Sequence, residues 1–307
     1  MSTQTIMWLA FAAVITIMFV LDLGVFNRKS HEIKFREALT WTIVWVSLAM
    51  AFNVGVWYFM GKEKALEFLT GYIIEESLSV DNLFVFIMIF SYFQVPRMHQ
   101  PRVLKWGIIG ALVMRGVFII LGIELIERFH WMVYLFGAIL IYTGFKMAFG
   151  GDDKVEPEKN PLVKLVRRFM PITKRMVGDR FFIRRRGIWA ATPLFLTLIV
   201  VESSDVIFAV DSIPAVLAVT RDPFIVYSSN VFAIMGLRSL YYLLAHVMEM
   251  FAYLKLGVSF ILAFVGAKML LADVVEVPLI FSLGMIIGTL TISILVSVLL
   301  AKKHHRT

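Results

Sequence analysis

Long apolar segments recur along almost the whole of this 307-residue chain, and they constrain its fold more than any other feature. A helix needs about 20 apolar residues to cross the hydrocarbon layer of a membrane. The segments are long and do not alternate between apolar and polar residues, so helices are favoured over the strands of a barrel. The predicted spans cover residues 6–26, 38–60, 69–92, 103–125, 131–149, 190–219, 224–245, 254–272 and 278–300. We therefore predict an all-α membrane bundle of about nine helices, in a single transmembrane domain over residues 1–307.

The composition excludes several classes of soluble protein. Hydrophobic residues make up 60% of the chain and charged residues 17%, against about 45–50% and about 25% in an ordinary soluble domain. A disordered chain, a nucleic-acid-binding module and a cytosolic enzyme are therefore excluded. The chain has no cysteine, which rules out disulfides, thiolate metal sites and thiol catalysis. We predict no catalytic residues and no nucleic-acid partner.

Lysine and arginine residues are concentrated in alternate loops. The loop over residues 150–189 contains eleven of them, whereas the opposite set of loops offers only Lys62, Lys64, Arg128 and Arg221. By the positive-inside rule, we expect the N-terminus outside and the C-terminus in the cytoplasm.

The long basic loop is expected to contact anionic lipid headgroups, and Arg184, Arg185 and Arg186 are the residues most suited to this. Asn160 and Pro161 are typical of a helix N-cap and first helical position, and the apolar and basic residues that follow predict a short helix on the membrane surface. The alternative is a solvated loop that only fixes the topology.

A repeat is indicated by charged residues that recur at nearly constant spacing within apolar segments. Each copy has an aspartate, an arginine and a lysine on successive spans: Asp81, Arg115 and Lys146 in the first, and Asp205, Arg238 and Lys268 in the second. The offsets between the copies are 124, 123 and 122 residues, and three spans are an odd number, so the second copy enters the membrane from the other side. The resulting prediction is an inverted pair of units, typical of secondary transporters. Repeat A covers residues 69–149, repeat B covers 190–272, and the helices at 6–26, 38–60 and 278–300 are peripheral.

Acidic residues are concentrated in the third and sixth predicted spans. A carboxylate deep in the membrane costs at least ~2.5 kcal/mol, so these side chains must be paired, protonated or in contact with water or a cation. One possibility is structural pairing with Arg115 and Arg238, the two deep cations. The acids outnumber these arginines, which favours a cation as ligand. They are Glu75, Glu76, Asp81, Glu202, Asp205 and Asp211, with Asp22 in the first span.

Helix geometry groups these residues further. Two sets each share one helix face at 100° per residue: Glu75, Ser79 and Asn82, and Glu202, Asp205 and Ser212. Asp81 and Asp211 fall off these faces if the helices are continuous. Pro214 removes a backbone hydrogen bond, so we expect the sixth span to be kinked or unwound around Asp211.

The donor atoms indicate the kind of ion. Carboxylate, amide and hydroxyl oxygens without sulfur suit magnesium, calcium or manganese, and the lack of an adjacent histidine argues against zinc or copper. The predicted metal ligands are Glu75, Asp81, Asn82, Glu202, Asp205 and Asp211. Ser79, Ser204, Ser212 and Asp22 are expected to support them, and Arg115 and Arg238 to balance their charge.

Two stretches resemble the signatures of the TerC family of integral membrane proteins. The first is Glu75-x-Ser77-Leu78-Ser79-Val80-Asp81-Asn82-x-Phe84-Val85, and the second runs from Val201 to Ala215. The chain is most similar to the Alx-type bacterial members. The resemblance implies a bacterial inner-membrane protein linked to manganese efflux, whose acidic residues map onto Glu75, Asp81, Glu202, Asp205 and Asp211. The family was named for resistance to tellurium ions, but the surplus of acids disfavours transport of an anion such as tellurite.

Three functions are considered. The first is export of a divalent cation, Mn²⁺ above all, by alternating access between the inverted halves. The second is a non-transporting assembly or scaffolding factor, in which the acids form structural ion pairs. The third, an intramembrane hydrolase with two catalytic aspartates, is disfavoured because a Gly-x-Gly-Asp motif is absent. The sequence also lacks a nucleotide-binding loop, which disfavours ATP-driven pumping.

Overall fold

The fold is described from a computed structural model, which defines residues 3–24, 33–150, 160–173, 175–185, 187–247, 254–275 and 277–304. Its elements in chain order are α1 (Thr3–Gly24), α2 (Phe35–Met60), α3 (Lys62–Tyr92), α4 (Gln100–Arg128), α5 (Met132–Phe149), α6 (Pro161–Phe169), β1 (Phe182–Arg185), β2 (Ile188–Ala191), α7 (Pro193–Leu217), α8 (Pro223–Val247), α9 (Leu254–Leu270) and α10 (Leu279–His304). Each predicted span overlaps one of these helices. The largest difference is at α3, which begins at Lys62 rather than at residue 69.

Five helices in the described part of the chain are long and apolar enough to cross a membrane. They are α2, α4, α5, α7 and the Leu279–Ser297 part of α10. Large apolar side chains on these helices face outward, as Ile120 does with 69% of its surface exposed. A lipid environment accounts for this exposure, because a water-facing surface of this kind would be unfavourable. The chain is thus a predominantly α-helical membrane protein, and the total of nine spans stays a prediction.

A small β-hairpin, which the sequence analysis did not predict, precedes α7 in the otherwise helical fold. Strands β1 and β2 pair antiparallel, with Phe182 opposite Ala191 and Arg185 opposite Ile188. Gly187 has a φ of 85°, which favours glycine in the tight turn between them. The sixth predicted span began at residue 190, but the helix begins at Pro193, whose fixed φ suits the first helical position.

The short helix predicted in the basic loop is confirmed. Helix α6 begins after Asn160, whose side chain accepts hydrogen bonds from the backbone N–H groups of Leu162 at 2.9 Å and Val163 at 3.4 Å. Pro161 occupies its first turn. Both features satisfy the usual requirements of a helix start, which explains why the sequence signal was reliable.

Four helices form the centre of the bundle. Helix α3 packs against α8 and α7, while α4 packs against α7 and α8. Helix α2 covers α8 and α3 on one side, and α5, α9 and α10 form the other side. The acidic spans of the sequence, α3 and α7, are therefore both central, which brings their polar residues into the interior.

Helices α5 and α9 cross at very short distance because glycine lies on both sides of the contact. A Cβ atom added to Gly144 would be 2.7 Å from the carbonyl oxygen of Ser259, and one added to Gly137 would be 2.9 Å from that of Gly266. Residue numbers rise along α5 as they fall along α9, so the two helices are antiparallel. Close backbone approach of this kind is the usual role of glycine in membrane helix packing.

Helix α7 is continuous through Pro214, so the expected unwinding around Asp211 is not observed. The helix extends from Pro193 to Leu217 with Pro214 inside it. Proline removes a single hydrogen bond, to the carbonyl of Val210, and lies in the last turn of the helix, where one lost bond does not require a break. The backbone N–H of Ala218 still donates to the Pro214 carbonyl at 3.0 Å.

The crossing of α5 and α9 generates a prediction about stability. Gly144→Ala should destabilise the protein by about 1–3 kcal/mol, because the added methyl group meets backbone that cannot move independently. Gly284→Ala is the matched control, since a Cβ at this helical position has no neighbour within 4 Å. Thermal unfolding of detergent-purified protein measures both. An unchanged melting temperature for Gly144→Ala contradicts the described crossing.

Candidate functional site

The centre of the bundle contains a buried ion pair between α3 and α4. Glu75 is 0% exposed and Arg115 is 3% exposed, and Nη1 of Arg115 donates a hydrogen bond to Oε1 of Glu75. Neither group reaches water, so each depends on the other for compensation of its charge. Glu75 therefore forms the structural ion pair with Arg115 that was the alternative to a role in cation binding.

A third helix contributes to this pair through Asn230 of α8. The side chain of Asn230 is 1% exposed, and its Nδ2 donates to Oε2 of Glu75 at 2.8 Å. Both carboxylate oxygens of Glu75 thus have donors, and α3, α4 and α8 are joined. Sequence analysis missed Asn230. The available signal was a polar run of Ser228, Ser229 and Asn230 in an apolar helix, but these residues carry no charge and match no motif.

One acid of α7 interacts with the same arginine, and a second acid interacts with the first. Asp205 is 3% exposed and interacts electrostatically with Arg115 and Glu75. Glu202, almost one turn earlier, interacts electrostatically with Asp205 and lies against Gly110 of α4. A Cβ atom at Gly110 would overlap the Glu202 carboxylate, so α4 leaves space for this acid only because residue 110 is glycine. Glu75 and Asp205 therefore both interact with the guanidinium group of Arg115, and Glu202 is linked to them through Asp205.

Several buried polar atoms on the central helices have no hydrogen-bond partner within the described residues. They include Nε of Arg115, Oδ1 of Asn230, Oγ of Ser79 and Oγ of Ser212. Asn82 is also buried, on the helix face that it shares with Ser79. Buried polar atoms without a partner are rare, and a water or an ion is a common explanation. The interior thus has unused capacity to bind a polar ligand.

Ser204 and Asp211 do not join this group. The Ser204 hydroxyl donates to the carbonyl of Val200 on its own helix at 2.9 Å. Asp211 accepts a hydrogen bond from Oγ1 of Thr143 on α5 at 2.8 Å. It lies six residues beyond Asp205, which places it about 9 Å further along α7 and on another face. Sequence analysis missed Thr143, because one threonine in an apolar helix carries no signal of its own.

Three further predicted residues are located only by their place on the helices. Asp81 lies on α3 and Asp22 on α1, but both side chains are outside the described part of the structure. Arg238 lies eight residues beyond Asn230, about 12 Å along α8, and interacts electrostatically with Tyr242.

The described residues do not assemble a complete metal centre. Among them, no three histidine, aspartate or glutamate side chains form a group that could hold a metal ion. Asp81, which the predicted repeat relates to Asp205, has its side chain outside the described residues. The predicted metal ligands therefore stay a prediction.

The buried pair generates a prediction about folding. Arg115→Met should destabilise the protein by about 3–5 kcal/mol, because it leaves Glu75 buried without its counter-charge, and Glu75→Met in the same chain should restore most of the loss. Arg128→Met is the control, since its ion pair with Glu124 is exposed, and it should leave the melting temperature unchanged. Thermal unfolding in detergent provides the comparison. If the double variant is no more stable than Arg115→Met, the two charges are not coupled.

Known proteins similar to this chain are also membrane proteins. Residues 60–305 match the Integral membrane protein TerC family. An uncharacterized membrane protein of Myxococcus xanthus is 50% identical over 299 residues, which cover 97% of this chain and 93% of that protein. The "Putative membrane-bound redox modulator Alx" of Escherichia coli strain K12 is 45% identical over 310 residues, covering 98% of this chain and 97% of that protein. For an uncharacterized membrane protein of Rickettsia bellii, identity is 38% over 292 residues, covering 95% and 97%.

No solved structure matches the chain. The family match extends from the end of α2 through α10 and includes both signature stretches, one in α3 and one in α7. The resemblance inferred from those stretches is confirmed. The chain belongs to the TerC family of integral membrane proteins.

Proposed function

We propose that this protein exports a hard divalent cation, Mn²⁺ above all, across the bacterial inner membrane. The observation that carries the proposal is that Glu75 and Asp205 both interact with the guanidinium group of Arg115 in the bundle interior, while Glu202 interacts with Asp205. If these four groups are all ionised, two negative charges remain in excess, and one divalent cation balances them. The cation is the transported substrate and not a resident cofactor.

The chemistry of the donor set supports this class of ion. Carboxylate oxygens, the free Oδ1 of Asn230 and the free hydroxyl groups of Ser79 and Ser212 are all hard ligands. We infer that Asp81, the repeat counterpart of Asp205, supplies a further carboxylate, while Asp211 takes part from its separate position beside α5. Asn82 extends the donor set along α3.

We further infer that residues 69–149 and 190–272 form an inverted repeat. A two-fold relation would exchange α3 with α7, α4 with α8 and α5 with α9. The packing agrees with this pattern. The exchange turns the contact of α3 with α8 into a contact of α7 with α4, and both contacts are present; α5 also contacts its counterpart α9. With an offset of 122 residues, Gly144 corresponds to Gly266, and Gly137 corresponds to Ser259. The contact of Gly144 with Ser259 therefore has a counterpart in the contact of Gly266 with Gly137. The carboxylates of Glu75, Glu202 and Asp205 would then lie near the membrane midplane, between the two units.

Alternating access follows from this arrangement. A cation that binds between Glu75 and Asp205 competes with Arg115 for the same carboxylates, which limits its affinity and permits release. Rotation of one three-helix unit against the other would open the site to one face of the membrane at a time. With nine spans and the basic loops inside, the N-terminus is outside and the C-terminus is cytoplasmic.

The name of the Escherichia coli relative refers to redox modulation. The present chain has no cysteine, so a redox effect through its own thiols is ruled out. Export of manganese, a redox-active metal, is compatible with such a name.

Transport in everted membrane vesicles tests the proposal. Vesicles that contain the protein should accumulate Mn²⁺, and Asp205→Asn and Asp81→Asn should each lower the initial rate about tenfold or more, because each removes a charge from a low-dielectric site. Glu63→Gln is the control, since this exposed acid lies on α3 itself and should not affect the rate. Equal rates for both aspartate variants and the wild type contradict the assigned site.

A second candidate function is a non-transporting assembly or scaffolding factor. It is favoured because both carboxylate oxygens of Glu75 already accept hydrogen bonds from the protein, as a structural ion pair would. Calorimetric titration of detergent-purified protein separates the two functions. The exporter should bind Mn²⁺ and lose affinity in Asp205→Asn, whereas a scaffold should bind no Mn²⁺ and co-purify stoichiometrically with a partner protein.

A further inference from the structure

The described part of the segment between α5 and α7 is fixed to the end of the helix bundle. Val163 of α6 is buried against the bundle core. Arg102 at the start of α4 forms an ion pair with Asp179 and lies 5.3 Å from the centre of the Phe181 ring. The hydroxyl of Thr192 donates to the carbonyl of Arg180 at 2.7 Å. We term residues 160–192 the connecting segment, and its described residues are thus held in a defined position where two membrane helices begin.

Helix α6 exposes an apolar face. Leu162, Leu165 and Phe169 lie within about 60° of one another around the helix axis, and they are 44%, 50% and 78% exposed. Lys164 and Arg168 lie on the other side of the helix, and both are exposed. An apolar face beside a basic face is typical of helices that lie in the membrane interface.

The hairpin exposes the same combination of side chains. Ile188 and Trp189 are 62% and 57% exposed. Trp189 lies opposite the exposed Arg184 in the antiparallel pair. Tryptophan and arginine both favour the headgroup region, where an apolar body and a polar end can be accommodated together.

The charge of the connecting segment is almost entirely positive. It contains nine lysine and arginine residues and a single acid, Asp179, which is already paired with Arg102. The segment leads directly into α7, a membrane-span helix, and is therefore kept at the lipid surface. Anionic phospholipid is the partner that complements both the positive charge and the exposed apolar side chains.

From this geometry, we infer that α6 and the β1–β2 hairpin form a binding surface for anionic phospholipid in the adjacent membrane leaflet. The basic side chains Lys164, Arg168 and Arg184 bind headgroup phosphates, while Phe169 and Trp189 enter the boundary between headgroups and acyl chains. This surface is separate from the carboxylates of Glu75, Glu202 and Asp205 and does not depend on the proposed transport. Since the connecting segment contacts α4 and leads into α7, bound lipid should also stabilise the start of both helices.

Lipid titration of the full-length protein in mixed micelles tests the inference. Phosphatidylglycerol should raise the melting temperature, whereas phosphatidylcholine and inorganic phosphate should not. The triple variant Lys164→Gln, Arg168→Gln, Arg184→Gln should lose about 100-fold in apparent affinity for phosphatidylglycerol. The control removes three exposed cations from the opposite loops, Lys62→Gln, Arg128→Gln and Arg221→Gln, and should retain the affinity.

A second measurement does not depend on stability. Phosphatidylglycerol with brominated acyl chains should quench tryptophan fluorescence, and Trp189→Phe should remove part of the quenched signal. The inference is overturned if both triple variants lose affinity equally, or if the triple variant in the connecting segment loses none. It is also overturned if phosphatidylcholine or inorganic phosphate stabilises the protein as well as phosphatidylglycerol does, or if Trp189→Phe leaves the quenched signal unchanged.

Discussion

Much of this structure depends on the compensation of one carboxylate that has no contact with water. Glu75 is fully buried. Arg115 balances its charge, and Asn230 donates a hydrogen bond to its second carboxylate oxygen. Because each partner lies on a different helix, the same contacts that stabilise the charge also join α3, α4 and α8. Loss of any one of them would leave an uncompensated polar group in the interior, which is among the most costly defects in a protein.

The same arginine also constrains function. Asp205 interacts with it and Glu202 interacts with Asp205, but a single guanidinium group cannot neutralise three carboxylates. A closed structural network would leave no such excess, and it would satisfy the free oxygen of Asn230 as well. The pair thus contributes to stability, while the surplus acids and unpartnered oxygens beside it are the features on which the proposed cation site rests.

The sequence predicted the helices well because each apolar segment is long and ends in polar or turn-forming residues. It also predicted α6, since Asn160 and Pro161 carry a direct physical signal for a helix start. It failed where tertiary contacts decide the outcome. Asp211 was expected to lie off the face of Asp205 if the helix is continuous, but its hydrogen-bond partner Thr143 on α5 could not be predicted, because one threonine in an apolar helix carries no signal of its own. The hairpin was missed because its strands have only four residues each and lack the usual alternation of apolar and polar residues.

The crossing of α5 and α9 limits how the two sets of helices can move. At Gly144 and at Gly266, the backbone of each helix occupies the space that a side chain would otherwise fill. Sliding by one residue would bring a bulkier neighbour into this space, so a shear of one helix along the other is unfavourable. The two close contacts lie seven residues apart on α5, and any movement between the two helices would have to keep both of them in register.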